Sequence, residues 1–322
     1  MAYLLGTRRG LDACASPDGA FVVLALDHRQ NLRRELRPSD PDSVSHADMT
    51  AFKAAVIQIL APIATGTLID PEVGLGPAIA EGALPGGAGL IVAVEATGYL
   101  GLPGARVSRV LEGWGPDRVK RVGASAAKVL VYYHPDAPNA AAQEAFVARV
   151  ADECRALDLA LFVEPLSFGS DGGALTGEER RQVVVETARR LTPLGGDVLK
   201  AEFPYDASVT DRRAWADACK ELDAATALPW VLLSGGVDDA TFEAQAETAC
   251  AAGASGVLVG RSVWAPAATL SPAERDVWLR QEGATRLRNL AERVGRLARP
   301  WRPRWERALH PDLPSEGWYA RY

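Results

Sequence analysis

The segment DVLKAEFP at residues 197–204 predicts a buried β-strand with a lysine at its centre. Pro204 ends the strand, because proline cannot donate a hydrogen bond to a neighbouring strand. Alternation along a strand places Val198, Lys200 and Glu202 on one face. Burial favours the neutral amine of a lysine, and a neutral amine is a nucleophile towards carbonyl groups. The segment alone is equally consistent with a nucleophilic Lys200 and with a structural pair between Lys200 and an acid such as Glu202.

Seven further short apolar segments predict strands, and helical patterns lie between them. The predicted strands span residues 21–26, 67–69, 90–94, 127–133, 159–163, 230–233 and 256–259. The predicted helices span residues 47–63, 140–157, 176–191, 211–222 and 240–252. This alternation is typical of an α/β fold, and eight strands predict a single (β/α)8 TIM barrel at about residues 20–270. A doubly wound open sheet is the alternative, but residues 27–30 (DHRQ), after the first strand, lack its glycine-rich fingerprint.

Two regions lie outside this alternation of strands and helices. Residues 97–115 are rich in Gly and Pro and predict a loop after the third strand. Residues 271–322 predict extra C-terminal helices followed by a tail. The tail contains Trp301 and Trp305 and is too aromatic to be disordered, so we expect it to pack on the barrel or on another subunit. We therefore expect one domain over residues 1–322 that forms a homo-oligomer.

Composition narrows the class of protein. The chain has 322 residues, of which 48% are hydrophobic, and a formal net charge of −6, so it offers no general attraction to nucleic acid or to an anionic membrane. No segment approaches 18 uncharged apolar residues, and residues 1–14 lack the apolar centre of a signal peptide, so we expect a cytoplasmic protein without a membrane span. The four cysteines form no C-x-x-C pair and are expected to be buried thiols. The four histidines show no metal-ligand spacing, so we expect neither a metal nor another cofactor.

Glycines and an arginine follow the last two predicted strands. Ser234, Gly235 and Gly236 come after the seventh strand, and Gly260 and Arg261 come after the eighth. In a TIM barrel the loops after these two strands commonly bind phosphate. Glycines allow the backbone to approach phosphate oxygens, and an arginine adds a fork of donors. The sequence therefore predicts a phosphate site here, with tight turns and a surface arginine as the structural alternative.

Three charged residues on adjacent predicted strands form a candidate catalytic group. Lys128 and Lys200 lie in the fourth and sixth strands, and Glu164 ends the fifth. An amine nucleophile, a second ammonium that lowers its pKa and a carboxylate that moves protons suit Schiff-base chemistry. We expect Lys200 to be the deeper lysine and the nucleophile, and Lys128, near the start of its strand, to be more hydrated and charged. A structural Lys–Glu–Lys network inside the barrel is the alternative.

Further polar residues follow the first predicted strand. Asp27 is a candidate to bond a substrate hydroxyl or to orient Lys200, and Arg29 or Arg33 is a candidate to hold a second anion across the mouth. The structural alternatives are a helix cap for Asp27 and solvated arginines. Glu72 and Glu95, which follow the second and third strands, are candidate interior residues without an assigned role.

Several short motifs occur in one order along most of the predicted barrel. They are residues 25–29 (ALDHR), 70–74 (DPEVG), 128–133 (KVLVYY), 163–165 (VEP), 197–202 (DVLKAE), 233–237 (LSGGV) and 260–261 (GR), with RPW at 299–301. With this ordered set the chain resembles the class I tagatose-1,6-bisphosphate aldolases, which are similar to the sulfofructose-phosphate aldolases. The resemblance implies that Lys200 forms the Schiff base, that Glu164 is the acid/base and that Lys128 assists. It also implies a ketose phosphate cleaved to dihydroxyacetone phosphate and an aldehyde without a metal.

The chain departs from that family beside the far end of the substrate. His28 replaces a usual Gln, Gln30 and Asn31 replace small residues, and Arg33 replaces a usual Lys. A sulfonated sugar phosphate or another ketose phosphate is therefore an alternative to tagatose 1,6-bisphosphate. Two other hypotheses for the function are a phosphosugar isomerase or epimerase and a non-catalytic phosphosugar-binding regulator. The presence of both lysines favours the aldolase.

Overall fold

Eight parallel strands close into a barrel in the computed structural model, which describes residues 3–320 and 322. The strands of the barrel are β1 (Phe21–Leu26), β2 (Gly66–Ile69), β3 (Gly89–Ala93), β6 (Ala126–Tyr133), β7 (Ala160–Ser167), β8 (Val198–Ala201), β9 (Trp230–Leu233) and β10 (Gly256–Val259). A separate two-stranded antiparallel hairpin consists of β4 (Leu100–Leu102) and β5 (Ala105–Val107). The barrel strands follow one another in chain order, and β10 pairs with β1 to close the ring. The predicted TIM barrel is confirmed.

Helices cover the outside of the barrel and continue beyond its last strand. They are α1 (Leu5–Cys14), α2 (Gln30–Leu36), α3 (His46–Leu60), α4 (Gly76–Ala80), α5 (Pro116–Arg121), α6 (Ala140–Ala156), α7 (Gly177–Leu191), α8 (Arg212–Ala225), α9 (Asp239–Ala252), α10 (Arg261–Trp264), α11 (Pro272–Trp278), α12 (Ala284–Leu297) and α13 (Trp301–Leu309). The predicted C-terminal helices are therefore present. Within residues 3–320 no helix is long and apolar enough to cross a membrane.

Side chains alternate between two apolar layers along each strand. On β1, Phe21 and Val23 point into the barrel, whereas Val22 and Leu24 belong to the layer beneath the helices. The same alternation on β8 turns Val198 inwards, and with it Lys200 two residues later. Both layers are buried, which is why these strands read as continuous apolar segments in the sequence.

The two chain ends close the amino-terminal side of the barrel. Helix α1, which the sequence did not predict, places Leu11 and Cys14 in the inner layer. From α13, Trp301 and Trp305 join the same layer, and the Trp305 Nε1–H donates to Asp197 Oδ1 at 2.8 Å. The aromatic tail thus packs on the barrel, which was one of the two alternatives expected from the sequence. The opposite end of the barrel stays open.

Three differences from the sequence prediction affect the open end of the barrel. The lysine strand ends at Ala201, before Glu202. Strand β7 continues through Pro165 to Ser167, because beyond Val163 it pairs only with β6, and a proline is tolerated where no hydrogen bond is donated. The predicted loop at 97–115 contains the β4–β5 hairpin. The longer strand β7 and the β4–β5 hairpin both add to the wall around the open end of the barrel.

Candidate active site

A cavity of about 700 Å³ opens at the carboxyl ends of the barrel strands. Lys128, Glu164 and Lys200 form its floor. The loops after β9 and β10 form one side, and the hairpin together with the ends of β6 and β7 forms the side across from it. This is the face where the loops of a TIM barrel carry binding and catalytic residues.

Lys128 is the centre of a buried ion network. Its Nζ lies 2.8 Å from Asp27 Oδ2, 2.7 Å from Glu95 Oε1 and 2.6 Å from Glu164 Oε2. Burial by itself would lower the pKa of Lys128, but the charges of the three carboxylates raise it well above its ordinary value. Lys128 is therefore an ammonium throughout the physiological pH range.

Lys200 shares one of these carboxylates. Its Nζ lies 2.7 Å from Glu164 Oε1, the only carboxylate within 4.0 Å of it among residues 3–320 and 322. The contact follows from strand register, because Phe162 pairs with Val198, so that Glu164 and Lys200 each lie two residues further along the same inward face. Glu164 thus bridges the two lysines.

Two carboxylates of the network, Asp27 and Glu164, are held in their ionised form. Burial alone would raise the pKa of Asp27 and of Glu164, but the neighbouring Lys128 and Lys200 hold both pKa values below their ordinary range. Glu95 accepts a second hydrogen bond, from the backbone N–H of Leu130 at 3.1 Å. At neutral pH Asp27 and Glu164 therefore carry negative charges beside the Lys128 ammonium.

The expected depths of the two lysines are wrong. The side chain of Lys128 is 1% exposed, whereas that of Lys200 is 5% exposed. Lys128 pairs in register with Phe162, which itself pairs with Val198, so Lys200 lies one inward-facing position nearer the mouth. Lys128 keeps its charge because of its three acidic partners and not because it is hydrated. The suggested pair between Lys200 and Glu202 is also absent, because Glu202 accepts hydrogen bonds from Ser167 and Arg180 instead.

The loops after β9 and β10 bring the predicted phosphate-binding residues together. Ser234, Gly235 and Arg261 line the cavity, and Gly236 and Gly260 lie directly behind them. Gly235 and Gly236 have φ values of +60° and +85°, and a side chain on Gly236 would collide with the Arg261 guanidinium. Arg261 Nη2 donates to the Gly235 carbonyl at 3.2 Å, whereas its buried Nε–H has no partner among the residues that the structure describes. An unsatisfied buried donor at a glycine turn is suited to an oxyanion.

Asp27 and His28 reach the cavity from the end of β1. Asp27 forms an ion pair with Lys128 and not with Lys200. The suggestion that Asp27 orients Lys200 directly is therefore wrong. The His28 ring packs edge-on against Trp264, with ring centroids 5.2 Å apart. Burial lowers the pKa of His28 to about 4, so the imidazole is neutral at physiological pH and offers a polar contact without charge.

The arginines after β1 are distributed differently from expectation. Arg29 lines the cavity, but its guanidinium is already bonded to Glu72 and to the Glu95 carbonyl. Arg33 is not brought to the cavity, because its guanidinium donates to the Val44 carbonyl. Its neighbour Arg34 lines the cavity instead.

A second buried ion pair lies beside the floor, at the carboxyl ends of β1 and β2. Lys53 on α3 pairs with Asp70, and its Nζ also donates to the Leu26 carbonyl at 2.8 Å, directly before Asp27. Asp70 Oδ1 in turn accepts from the Val73 N–H at 2.8 Å and begins the π-helical turn Pro71–Leu75. The pair fixes the end of β1, and with it the position of Asp27.

Sequence reasoning missed the residues on the hairpin side of the cavity. Tyr132 had a usable signal, because it lies four residues after Lys128 on the same face of β6. No sequence signal indicated Arg106, because its position depends on a hairpin inside a segment predicted as a loop. Among the described residues no group of three or more His, Cys, Asp or Glu side chains is arranged to hold a metal ion. The carboxylates converge on lysine amines.

Comparison with known proteins identifies the family of the chain. Residues 21–266 match the family model described as DeoC/LacD family aldolase. Tagatose 1,6-diphosphate aldolase of Lactococcus lactis subsp. lactis is 31% identical over 318 residues, which cover 91% of this chain and 97% of the relative. Tagatose 1,6-diphosphate aldolase 2 of Streptococcus pyogenes serotype M3 is 29% identical over 310 residues, which cover 89% and 94%.

Solved structures support the fold. An archaeal fructose 1,6-bisphosphate aldolase superposes with a TM-score of 0.58 at 23% identity, covering 90% of this chain and 99% of that one. The fructose-bisphosphate aldolase of Plasmodium falciparum gives a TM-score of 0.69 at 13% identity, covering 92% and 95%. The family resemblance seen in the sequence motifs is confirmed. The chain belongs to the DeoC/LacD family of aldolases, and it is a carbon–carbon lyase.

Proposed function

We propose that this protein is a class I aldolase that cleaves a ketose phosphate to dihydroxyacetone phosphate and an aldehyde through a Schiff base on Lys200. The observation that carries the proposal is the bridge of Glu164 between Lys200 and Lys128 on the floor of the cavity. The lysine with one carboxylate partner faces the open space, and the lysine with three partners lies beneath it.

This asymmetry favours Lys200 as the nucleophile. Removing a proton from Lys128 would leave three buried carboxylates without their cation, which is costly. Lys200 has one acidic partner, and the Lys128 ammonium stays beside that partner, so less buried negative charge depends on the cation at Lys200. In this proposal the amine of Lys200 attacks the C2 carbonyl of a bound ketose.

Glu164 is placed to move the protons of each step. Glu164 first accepts a proton from Lys200, and the free amine attacks C2. One proton then moves from the nitrogen to the former carbonyl oxygen and a second returns from Glu164, so that the oxygen leaves as water and the iminium ion forms. When the C3–C4 bond breaks, its electron pair moves to the iminium nitrogen, and Glu164 accepts the proton of the C4 hydroxyl as the aldehyde forms. Protonation of the enamine at C3 and addition of water to the iminium then release dihydroxyacetone phosphate. The Lys128 charge stabilises the Glu164 carboxylate whenever it is ionised.

The phosphate on C1 fits the loops after β9 and β10. Ser234, Gly235 and Arg261 line the cavity there, and the buried Nε–H of Arg261 has no partner among the described residues. A charge-assisted bond from Arg261 would hold the phosphate while C2 lies over Lys200.

The relatives named tagatose 1,6-diphosphate aldolase make that ketose bisphosphate the first substrate to assay. Gln30 and Asn31 line the cavity, so the departures from the family noted in the sequence border the substrate. For that reason a sulfofructose phosphate, which would release sulfolactaldehyde, is the second substrate to assay.

Borohydride trapping tests the proposal. Reduction in the presence of dihydroxyacetone phosphate should fix the ligand to Lys200, and mass spectrometry of the digested protein would locate the adduct. Lys53 is the internal control, because it is equally buried but paired with Asp70 outside the cavity. An adduct on Lys128 would reverse the assignment of the two lysines. Absence of any adduct would reject the Schiff-base mechanism.

A further inference from the structure

We propose that Arg106 binds a terminal oxyanion, a phosphate or a sulfonate, on the aldehyde half of the substrate. The inference rests on the proposed function and extends it to substrate choice. Arg106 lies on β5 of the hairpin, lines the cavity, and has its guanidinium 5.5 Å from the ring of Tyr132 on β6. Strand β6 stands four strands from β10 around the barrel, which is directly across the mouth from Arg261.

Among the described residues, Arg106 has no acidic partner. Of the other cations that line the cavity, Arg29, Lys128, Lys200 and Arg261 each have a carboxylate within 4.0 Å. Across the described ranges, 3–320 and 322, Arg106 and Arg34 have none. Arg34 is exposed to solvent, whereas Arg106 is half-buried. A partly desolvated guanidinium without a counter-ion, facing a cavity, is suited to an anionic ligand.

Arg106 is also held in a fixed orientation. Its Nε and Nη2 donate to the carbonyls of Pro103 at 3.0 Å and Gly172 at 2.7 Å. Its guanidinium carbon lies 4.7 Å from the ring centroid of Tyr99 and 4.5 Å from that of Phe168. These contacts leave Nη1 without a hydrogen-bond partner in the described part of the chain. A guanidinium fixed in advance loses little side-chain entropy when it binds a ligand, which raises its affinity.

The wall that carries Arg106 is closely packed. Gly172 has a φ of +87°, and a side chain there would collide with Pro103. A side chain on Gly104 would meet the Ser170 carbonyl at 2.5 Å. The hairpin and the loop after β7 therefore support each other and hold Arg106 over the end of β6.

The position matches the direction of the substrate. With the C1 phosphate at Arg261 and C2 on Lys200, the remaining carbons extend away from β10 towards the opposite wall. Tyr132 and Arg106 form that wall. A terminal oxyanion would meet the unpaired donor of Arg106 there, whereas a terminal hydroxyl would gain less from the charge.

The test compares R106Q with R34Q, because Arg34 is the other cavity arginine without an acidic partner. Each variant is assayed with a ketose 1,6-bisphosphate, a 6-sulfo-ketose 1-phosphate and a ketose 1-phosphate. R106Q should lower kcat/KM for an oxyanion-bearing substrate by about 10- to 100-fold, and should affect the ketose 1-phosphate much less. R106K, which keeps the charge, should recover part of the loss. The larger loss among the two oxyanions identifies phosphate or sulfonate as the preferred group.

Two results would overturn the inference. Equal losses on all three substrates would show that Arg106 only supports the hairpin, and a selective loss in R34Q would place the anion after β1. Borohydride trapping of dihydroxyacetone phosphate, which lacks the aldehyde half, should still label Lys200 in R106Q and thereby show an intact site. Wild-type protein that forms no adduct would reject the proposed function itself, which is a different outcome from a loss of substrate discrimination.

Discussion

Replacing Lys128 with methionine removes the cation at the centre of the ion network. Methionine has a similar length and no charge, so the change leaves Asp27, Glu95 and Glu164 facing one another without an ammonium between them. All three carboxylates lie within 2.6–2.8 Å of the Lys128 nitrogen, and its side chain is 1% exposed. Breaking a buried ion pair from one side typically costs about 3–5 kcal/mol of unfolding free energy. We expect K128M to lose about this amount at pH 7.

The pH dependence of this loss has a definite sign. In the wild-type protein the lysines hold the pKa values of Asp27 and Glu164 below their ordinary range, so these carboxylates stabilise the fold above about pH 4. That contribution disappears as the pH falls through the lowered pKa values. Without Lys128, burial raises both pKa values, and the carboxylates then destabilise the fold once they ionise. The stability difference between wild type and K128M is therefore largest near neutral pH and shrinks towards about pH 4.

Urea unfolding at pH 7 and near pH 4.5 measures the effect. K220M is the matched control, because Lys220 pairs with Asp217 on the surface with its side chain 66% exposed, and such a pair contributes about 0–1 kcal/mol. The double variant E95Q/K128M should recover part of the loss, since one of the crowded carboxylates is removed. If K128M unfolds at the same urea concentration as K220M at pH 7, Lys128 does not stabilise the three buried carboxylates as argued above.

Three further predictions concern single residues of the site. E164Q should still bind dihydroxyacetone phosphate but turn over about 10²–10⁴-fold more slowly, and near wild-type turnover would assign proton transfer to another group. R261A should raise KM for a phosphorylated substrate by about 10- to 100-fold, and an unchanged KM would place the C1 phosphate elsewhere. Because burial lowers the pKa of His28 to about 4, protonation below about pH 6.5 favours unfolding. Between about pH 7 and pH 5 this protonation should cost the wild type about 2 kcal/mol of unfolding free energy, and H28Q should not show that loss. Identical pH profiles of the two proteins would show that His28 does not titrate as argued.

Much of this protein follows from local sequence pattern. Strands buried on both faces are continuous apolar segments, and their alternation with helices leaves a closed parallel barrel as the arrangement that buries them. Alternation along a strand also turns Lys128, Glu164 and Lys200 inwards, since each has the same parity as the apolar residues before it. The glycine turn and Arg261 were predictable because loops after the last two barrel strands recur as phosphate sites.

Tertiary structure decided what depends on register and on the path of loops. The relative depth of Lys128 and Lys200 follows from how β6, β7 and β8 pair, which no single strand specifies. One residue along helix α2 rotates the side chain by about 100°, so Arg34 reaches the cavity whereas Arg33 turns to the Val44 carbonyl. Arg106 reaches the mouth only because a hairpin and the loop after β7 pack together, and such contacts join residues far apart in the chain. Local pattern therefore determined which residues face inwards, and long-range packing determined which of them meet.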